Sequence, residues 1–127
     1  MDKEEQRGLE TLVAWQKAVA FTIRVHREVL PKLPPEEKYA LAIQLRRAVQ
    51  SVPANIAEGY GRYTFKDSSH FYYIARGSLE EVYTYLVLAH RLNYLDDALF
   101  HSLQDELRTL RHVLNGYLKF LRKQRRS

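Results

Sequence analysis

The chain has 127 residues, 46% hydrophobic and 28% charged, which is the balance of a single folded domain. It contains no cysteine, so disulfides, thiolate metal sites and cysteine nucleophiles are excluded. No apolar run approaches the roughly 18 residues that a membrane span needs, and the acidic, mixed residues 1–5 are unlike a signal peptide. These features predict a cytoplasmic protein.

The net charge of +5 is distributed unevenly along the chain. Residues 1–107 contain 13 lysines and arginines against 15 acids, whereas residues 108–127 contain seven lysines and arginines and no acid. Such asymmetry is typical of a protein that binds a polyanion. Cations at the end of a helix also complement its dipole, so charge alone leaves both interpretations open.

The first of four segments with helical periodicity runs from about Leu12 to Leu30 and stops before Pro31. Thr11 is its predicted N-cap. Its predicted buried face consists of Leu12, Trp15, Val19, Thr22, His26 and Val29. A single histidine on such a face is expected to be a hydrogen-bonded core residue rather than a ligand.

The second segment begins at Pro35 and ends at the glycines of residues 59–61. Its apolar face consists of Leu41, Leu45, Ala48 and Val52. Pro53 lies inside the segment, and proline lacks the N–H that would bond the carbonyl of Val49. The sequence therefore predicts a kink at Pro53 and places the Asn55 amide close enough to satisfy the freed backbone groups.

The third and fourth segments begin at the predicted N-caps Thr64 and Asp96. Their apolar faces are Ala75, Leu79, Val82, Leu86 and Ala89, and then Leu103, Leu107, Leu110, Leu114, Tyr117 and Leu121. Four long helices with short loops predict an all-α fold, an antiparallel up-down four-helix bundle. The bundle is expected to span residues 12–121, between an N-terminal arm of residues 1–11 and a basic C-terminal tail of residues 122–127.

The third segment has more aromatic residues than one buried face requires. We therefore predict that this surplus is buried against a neighbouring subunit and that the protein is a homo-oligomer. The predicted interface residues are Tyr72, Tyr73, Tyr83 and Tyr85.

No catalytic or metal-binding constellation is evident in the sequence. A di-iron bundle needs two Glu-x-x-His motifs and two further carboxylates, and the chain offers only one distant analogue in residues 67–70. The acidic pairs at residues 80–81 and 96–97 are helix neighbours that do not face each other. The glycines of residues 59–61 lack the remainder of a phosphate-binding loop. The sequence therefore predicts no enzymatic activity, no metal and no cofactor.

Two stretches stand out, residues 51–62 (SVPANIAEGYGR) and residues 74–81 (IARGSLEE). Together with residues 15–18 (WQKA) and 44–48 (QLRRA), they resemble the bacterial four-helix-bundle family first named for 23S rRNA intervening sequences. The resemblance implies a non-enzymatic bundle that forms a ring-shaped homopentamer. The same family includes the accessory variability determinant of diversity-generating retroelements, which resembles a basic barrel that binds nucleic acid and a reverse transcriptase.

Within these motifs, two local arrangements are expected. Glu58 has Arg46, Arg47 and Arg62 as candidate ion-pair partners. Gly77 and Ser78 lie in mid-helix, where small residues permit two helices to approach closely.

These observations predict an oligomeric adaptor that binds the backbone of RNA or DNA with little sequence preference, and the resemblance adds a reverse transcriptase as a further partner. The basic residues would neutralise phosphates rather than read bases. The candidates are Lys119, Arg122, Lys123, Arg125 and Arg126 in the last turns, with Arg46, Arg47, Arg62, Lys66 and Arg76. The alternative is a structural or protein–protein interaction module whose basic tail only keeps it soluble.

Overall fold

A computed structural model of the chain describes residues 8–126, with the side chains of residues 8–124. Its four long helices are α1 (Val13–Arg24), α2 (Leu41–Tyr60), α3 (Phe65–Arg91) and α4 (Asp97–Arg126). The connection from α1 to α2 contains a π-helical turn (Val25–Val29) and two 3₁₀ turns (Leu30–Lys32 and Pro35–Glu37). The described residues include no β-strand, so the predicted all-α class is confirmed.

The four helices pack around one core, with α1 against α2 and α4, and α3 against α2 and α4. The bonds between α3 and α4 give their relative direction. Near the start of α3, the Tyr73 hydroxyl accepts a hydrogen bond from Arg122 near the end of α4. Near the end of α3, His90 pairs with Asp97 in the first turn of α4. These two helices are therefore antiparallel, as the short turn between them requires.

Most of the predicted apolar faces form the core. Leu45 of α2, Leu79 of α3 and Leu107 of α4 are fully buried, and the other predicted residues of α2 and α3 are buried with them. The face of α4 is buried as predicted as far as Leu114, beyond which Leu118 is buried while Tyr117 and Leu121 are half-buried. Burial of these branched and aromatic side chains supplies the main driving force for the fold.

Of the predicted buried face of α1, Val29 is confirmed and the other residues are wrong. The residues of α1 and the following π turn that enter the core are Ala14, Ala18, Phe21, Val25 and Val29, whereas Trp15, Val19 and His26 are only half-buried. Two apolar stripes run side by side on this helix, one with Trp15 and one with Ala14 and Ala18. Because alanine side chains are small, the second stripe lets α1 approach the neighbouring helices more closely. The π turn adds a residue to one turn and brings both Val25 and Val29 to the core.

Pro53 lies within α2, which continues as one helix from Leu41 to Tyr60. The carbonyl of Val49, which Pro53 cannot bond, lies 3.1 Å from the Thr22 hydroxyl of α1, whose single hydrogen is shared with the Ala18 carbonyl at 2.8 Å. The Asn55 amide donates to the Ser51 carbonyl (2.8 Å) and the Ser51 hydroxyl (2.9 Å). The prediction that Asn55 bonds the freed carbonyl of Val49 is therefore wrong, because its amide is bonded to Ser51.

The predicted caps of α3 and α4 are confirmed, because the side chains of Thr64 and Asp96 accept hydrogen bonds from the backbone N–H groups of Asp67 and Leu99. The Thr11 hydroxyl donates to the Gly8 carbonyl and does not cap α1, so that prediction is wrong. Within residues 8–126, none of the helices combines the length and apolar content needed to cross a lipid bilayer.

The two sequence motifs meet between α2 and α3. The hydroxyls of Ser51 and Ser78 are 2.8 Å apart. At Gly59, a Cβ atom would lie 2.7 Å from the ring of Tyr72 and 2.9 Å from the carbonyl oxygen of Ser68, so this position accepts only glycine at the observed helix separation. Gly77 has no atom within 4 Å of the corresponding Cβ position, so the close approach expected at Gly77 does not occur within this chain.

Candidate nucleic-acid interface

Positive charge collects at the end of the bundle where α2 turns into α3 and α4 finishes. We call residues 58–76 and 115–124 the basic end. These residues include six lysines and arginines and two acids. One of the acids, Glu58, pairs with Arg62 at 3.2 Å, which confirms Arg62 among its three candidate partners. The Arg62 guanidinium also lies over the Phe71 ring, 4.7 Å from its centroid.

The opposite end of the bundle has a small excess of acids. Residues 24–38 and 91–106 cover a comparable length of chain and contain seven acids against five lysines and arginines, and two of the acids, Glu28 and Glu106, pair with Arg24. Helix α3 has 27 residues, so the two ends are separated by about 40 Å. That distance exceeds the Debye length of about 8 Å at physiological ionic strength, so a bound ligand at one end is screened from the other.

Tyr72 holds the last turns of α4 against α3. It is 1% exposed, and its ring packs edge-on against Tyr117 with 5.3 Å between centroids. Burial raises the pKa of Tyr72 far above its usual range. The prediction that Tyr72 belongs to a subunit interface is therefore wrong, because its ring is buried in the core of its own chain.

Tyr73, one residue later, faces outward between two arginines. Its hydroxyl accepts a hydrogen bond of 3.0 Å from Arg122, and the Arg76 guanidinium lies over its ring at 4.9 Å from the centroid. Arg76 also donates to the Asn115 side chain at 3.1 Å. Tyr73 thus brings a cation of α4 and a cation of α3 together on one surface.

An open groove of about 560 Å³ extends along the start of α3 beside Tyr73. Its polar and aromatic lining includes Arg62, Lys66, Asp67, His70, Phe71 and Tyr73. The carboxylate of Asp67 reduces the positive charge of the groove, and its backbone N–H bonds the Thr64 cap in the first turn of α3. A second cavity of about 330 Å³ shares Arg62 with this groove and extends past Tyr63 to Leu121 of α4.

Three aromatic side chains of the basic end are exposed to solvent. Tyr63 is 100% exposed in the turn between α2 and α3, Phe120 of α4 is 52% exposed and Tyr73 is 40% exposed. Neither Tyr63 nor Phe120 is among the binding residues that the sequence predicts. The available signal was the position of Tyr63, in a short turn between Gly61 and the cap Thr64, where a core aromatic is not expected.

The structure separates the predicted phosphate-binding residues into two groups. Arg62, Lys66, Arg76, Lys119, Arg122 and Lys123 all belong to the basic end. Arg46 and Arg47 are exposed in the first half of α2, and about 20 Å of helix separates Arg47 from Tyr60. The side chains of Arg125 and Arg126 lie outside the described residues.

The other two predicted interface residues are half-buried within the chain. The Tyr83 hydroxyl accepts a hydrogen bond of 3.3 Å from Gln104 of α4. Tyr83 and Tyr85 both pack against the core. Much of the aromatic surplus of α3 therefore packs within one chain. The exposed aliphatic side chains of this helix are Ile74 and Leu88.

The fold and the site define a small, basic-ended helical-bundle protein. A family model for the 23S rRNA-intervening sequence protein matches residues 10–116. The chain therefore belongs to the family of 23S rRNA-intervening sequence proteins, which confirms the family resemblance of its motifs. No curated protein matches the chain.

Among solved structures, the bundle is similar to the crystal structure of a protein of unknown function from the S23 ribosomal protein family of Bacteroides thetaiotaomicron. The TM-score is 0.77 at 23% sequence identity, over 84% of this chain and 96% of that chain. At this identity the similarity concerns the fold.

Proposed function

We propose that this protein is a non-enzymatic, homo-oligomeric adaptor that binds RNA or DNA through phosphate contacts at its basic end. The observation that carries the proposal is the convergence of cations from two segments that are distant in sequence. Tyr73 alone brings together Arg76 of α3 and Arg122 of α4. A cluster of this kind attracts a polyanion through many simultaneous phosphate contacts.

Nucleic acid fits this surface better than a small anion does. The groove and the adjoining cavity are open and extend along the turn and the start of α3 rather than enclosing a ligand. The cations are arginines and lysines of the α2–α3 turn and of helices α3 and α4, spread over one surface, which suits contacts to a chain of phosphates. Such contacts contain no base information, so the preference for sequence is slight.

Self-association would bring several copies of the basic end together in one assembly. Exposed apolar side chains on α1 (Val13 and Ile23) and on α3 (Ile74 and Leu88) leave two faces suited to a heterologous contact between copies. A heterologous contact that closes forms a ring, and the family resemblance implies a ring of five subunits. The resemblance to the accessory variability determinant adds a reverse transcriptase to the partners of such a ring.

Two matched charge reversals test the proposal. The variant R122E/K123E changes the basic end, and R46E/R47E makes the same change in net charge on the distant half of α2. Binding is measured as fluorescence anisotropy of a labelled 20-nucleotide RNA at several salt concentrations. We expect R122E/K123E to lose about tenfold or more in affinity and to reduce the salt slope by about two, because two phosphate contacts are lost.

The control R46E/R47E is expected to retain most of the affinity and the salt slope. Circular dichroism and light scattering show whether each variant keeps its fold and its oligomeric state. Equal effects of the two variants would contradict the assignment to the basic end. Absence of salt-dependent binding by the unmodified protein at moderate ionic strength would favour the alternative, an interaction module without nucleic acid.

A further inference from the structure

The exposed aromatic side chains of the molecule are concentrated where its positive charge is. Among the residues whose side chains the structure describes, four aromatic residues have substantially exposed rings; three lie at the basic end (Tyr63, Tyr73 and Phe120) and one, Tyr39, lies near the start of α2. Exposed aromatic rings are costly to hydrate, and nothing in the core explains the position of Tyr63. Their placement among arginines and lysines indicates a ligand that has both phosphates and flat apolar groups.

We infer that the basic end binds single-stranded nucleic acid in preference to duplex, by stacking unpaired bases on its exposed aromatic rings. This inference rests on the proposed function and specifies the ligand of the same site. A base offers a stacking face only when it is unpaired or flipped, whereas a duplex presents phosphates and groove edges. The combination of a basic groove with aromatic platforms is how single strands are bound without sequence preference.

Tyr63 is the main platform. It is 100% exposed, so its own chain covers neither face of its ring. It projects from the turn next to Arg62, which lines both the open groove and the smaller cavity. A strand whose base stacks on Tyr63 therefore has its neighbouring phosphates within reach of Arg62 on the α3 side.

Phe120 of α4 and Tyr73 of α3 are two further exposed rings of the basic end. The Phe120 ring is stacked on Tyr117 at 6.3 Å between centroids with 22° between planes, which fixes its orientation while leaving it 52% exposed. Tyr73 is fixed by its two arginine neighbours, Arg76 and Arg122. Aromatic rings whose orientation is already fixed lose little conformational freedom when a base stacks on them, so these two rings are preorganised for stacking.

Charge alone predicts the opposite preference. A duplex has about one phosphate per 1.7 Å of axis, which is a higher charge density than that of a single strand. A surface that only neutralises phosphates therefore binds duplex at least as tightly. A preference for the single strand distinguishes base stacking from plain electrostatic attraction.

The experiment compares two labelled probes, a 20-nucleotide oligouridine and a 20-base-pair duplex RNA, against the full chain at one ionic strength. The variants are Tyr63→Ala and Tyr63→Phe, with Tyr39→Ala as the matched control, because Tyr39 is 79% exposed but lies far from the basic end. We expect the unmodified protein to bind oligouridine more tightly than duplex. Tyr63→Ala should weaken oligouridine binding by about 5- to 100-fold, with duplex binding nearly unchanged.

Tyr63→Phe should keep the affinity for oligouridine, because it keeps the aromatic face, and Tyr39→Ala should leave both affinities unchanged. Salt-dependent binding of both probes with no preference for oligouridine, or an equal loss on both probes in Tyr63→Ala, would overturn this inference and leave the proposed function standing. If neither probe binds at low salt, the proposed function itself is contradicted.

Discussion

Replacing Gly59 by alanine tests how α2 and α3 are held together. The new methyl carbon would lie 2.7 and 2.8 Å from two atoms of the Tyr72 ring and 2.9 Å from the Ser68 carbonyl oxygen. Tyr72 cannot move aside freely, because it is buried and packed on Tyr117, and Ser68 contributes a backbone atom. Overpacking of this kind costs about 1–3 kcal/mol, against a gain of up to about 1 kcal/mol from the higher helix propensity of alanine.

We therefore expect Gly59→Ala to lower the free energy of unfolding by about 1–2 kcal/mol. Gly77→Ala and Gly116→Ala are the controls, because no described atom outside the adjoining backbone of their own helices and their chain neighbours lies within 4 Å of either new methyl group. These two variants should gain up to about 1 kcal/mol each from helix propensity. The assay is urea unfolding followed by circular dichroism at one protein concentration, since association also contributes to stability. A Gly59→Ala variant as stable as the two controls would refute the packing argument.

Two further predictions concern single hydrogen bonds. Thr22→Val keeps the shape of the side chain but removes the hydroxyl that lies 2.8 Å from the Ala18 carbonyl and 3.1 Å from the Val49 carbonyl. It should cost about 1–2 kcal/mol in urea unfolding, because the Val49 carbonyl then has no donor from Thr22, and Thr22→Ser should restore most of this. Equal losses in the two variants would contradict the prediction. The hydrogen bond from His90 lowers the pKa of Asp97 in the folded protein. Its stabilising effect is therefore complete above the ordinary aspartate pKa of about 3.9 and is lost as the pH falls through the lowered folded value. The melting temperature of Asp97→Asn should accordingly fall less steeply below pH 4 than that of the unmodified protein, and parallel curves would be inconsistent with this pairing.

Periodicity predicts the core well where a helix has one apolar stripe. Spacing alone predicts the face of α2, and it predicts the face of α3 despite the surplus of aromatic residues beside that face. Spacing failed on α1, where the stripe that contains Trp15 and the stripe that contains Ala18 have the same period. Which of them enters the core depends on how closely the neighbouring helices approach, and a one-dimensional pattern contains no information about that distance.

The sequence predicts the positive charge of the candidate site, but it does not predict which aromatic side chains are exposed there. The sequence showed a basic C-terminal segment, and the antiparallel topology brings that segment to the turn that contains Arg62. Hydropathy could not distinguish the exposed Tyr63 from the buried Tyr72, because the same residue type serves both a core and a surface. The donor to Val49 was also unpredictable, since it belongs to a different helix.

Photo-crosslinking to an RNA that contains 4-thiouridine, followed by mass spectrometry of the linked peptides, tests the central claim most directly. The unmodified protein is used at low and at high salt. Binding at the basic end predicts crosslinks within residues 58–76 and 115–124 that disappear at high salt. Crosslinks confined to the first half of α2, around Arg46 and Arg47, or no crosslinks at low salt, would contradict it.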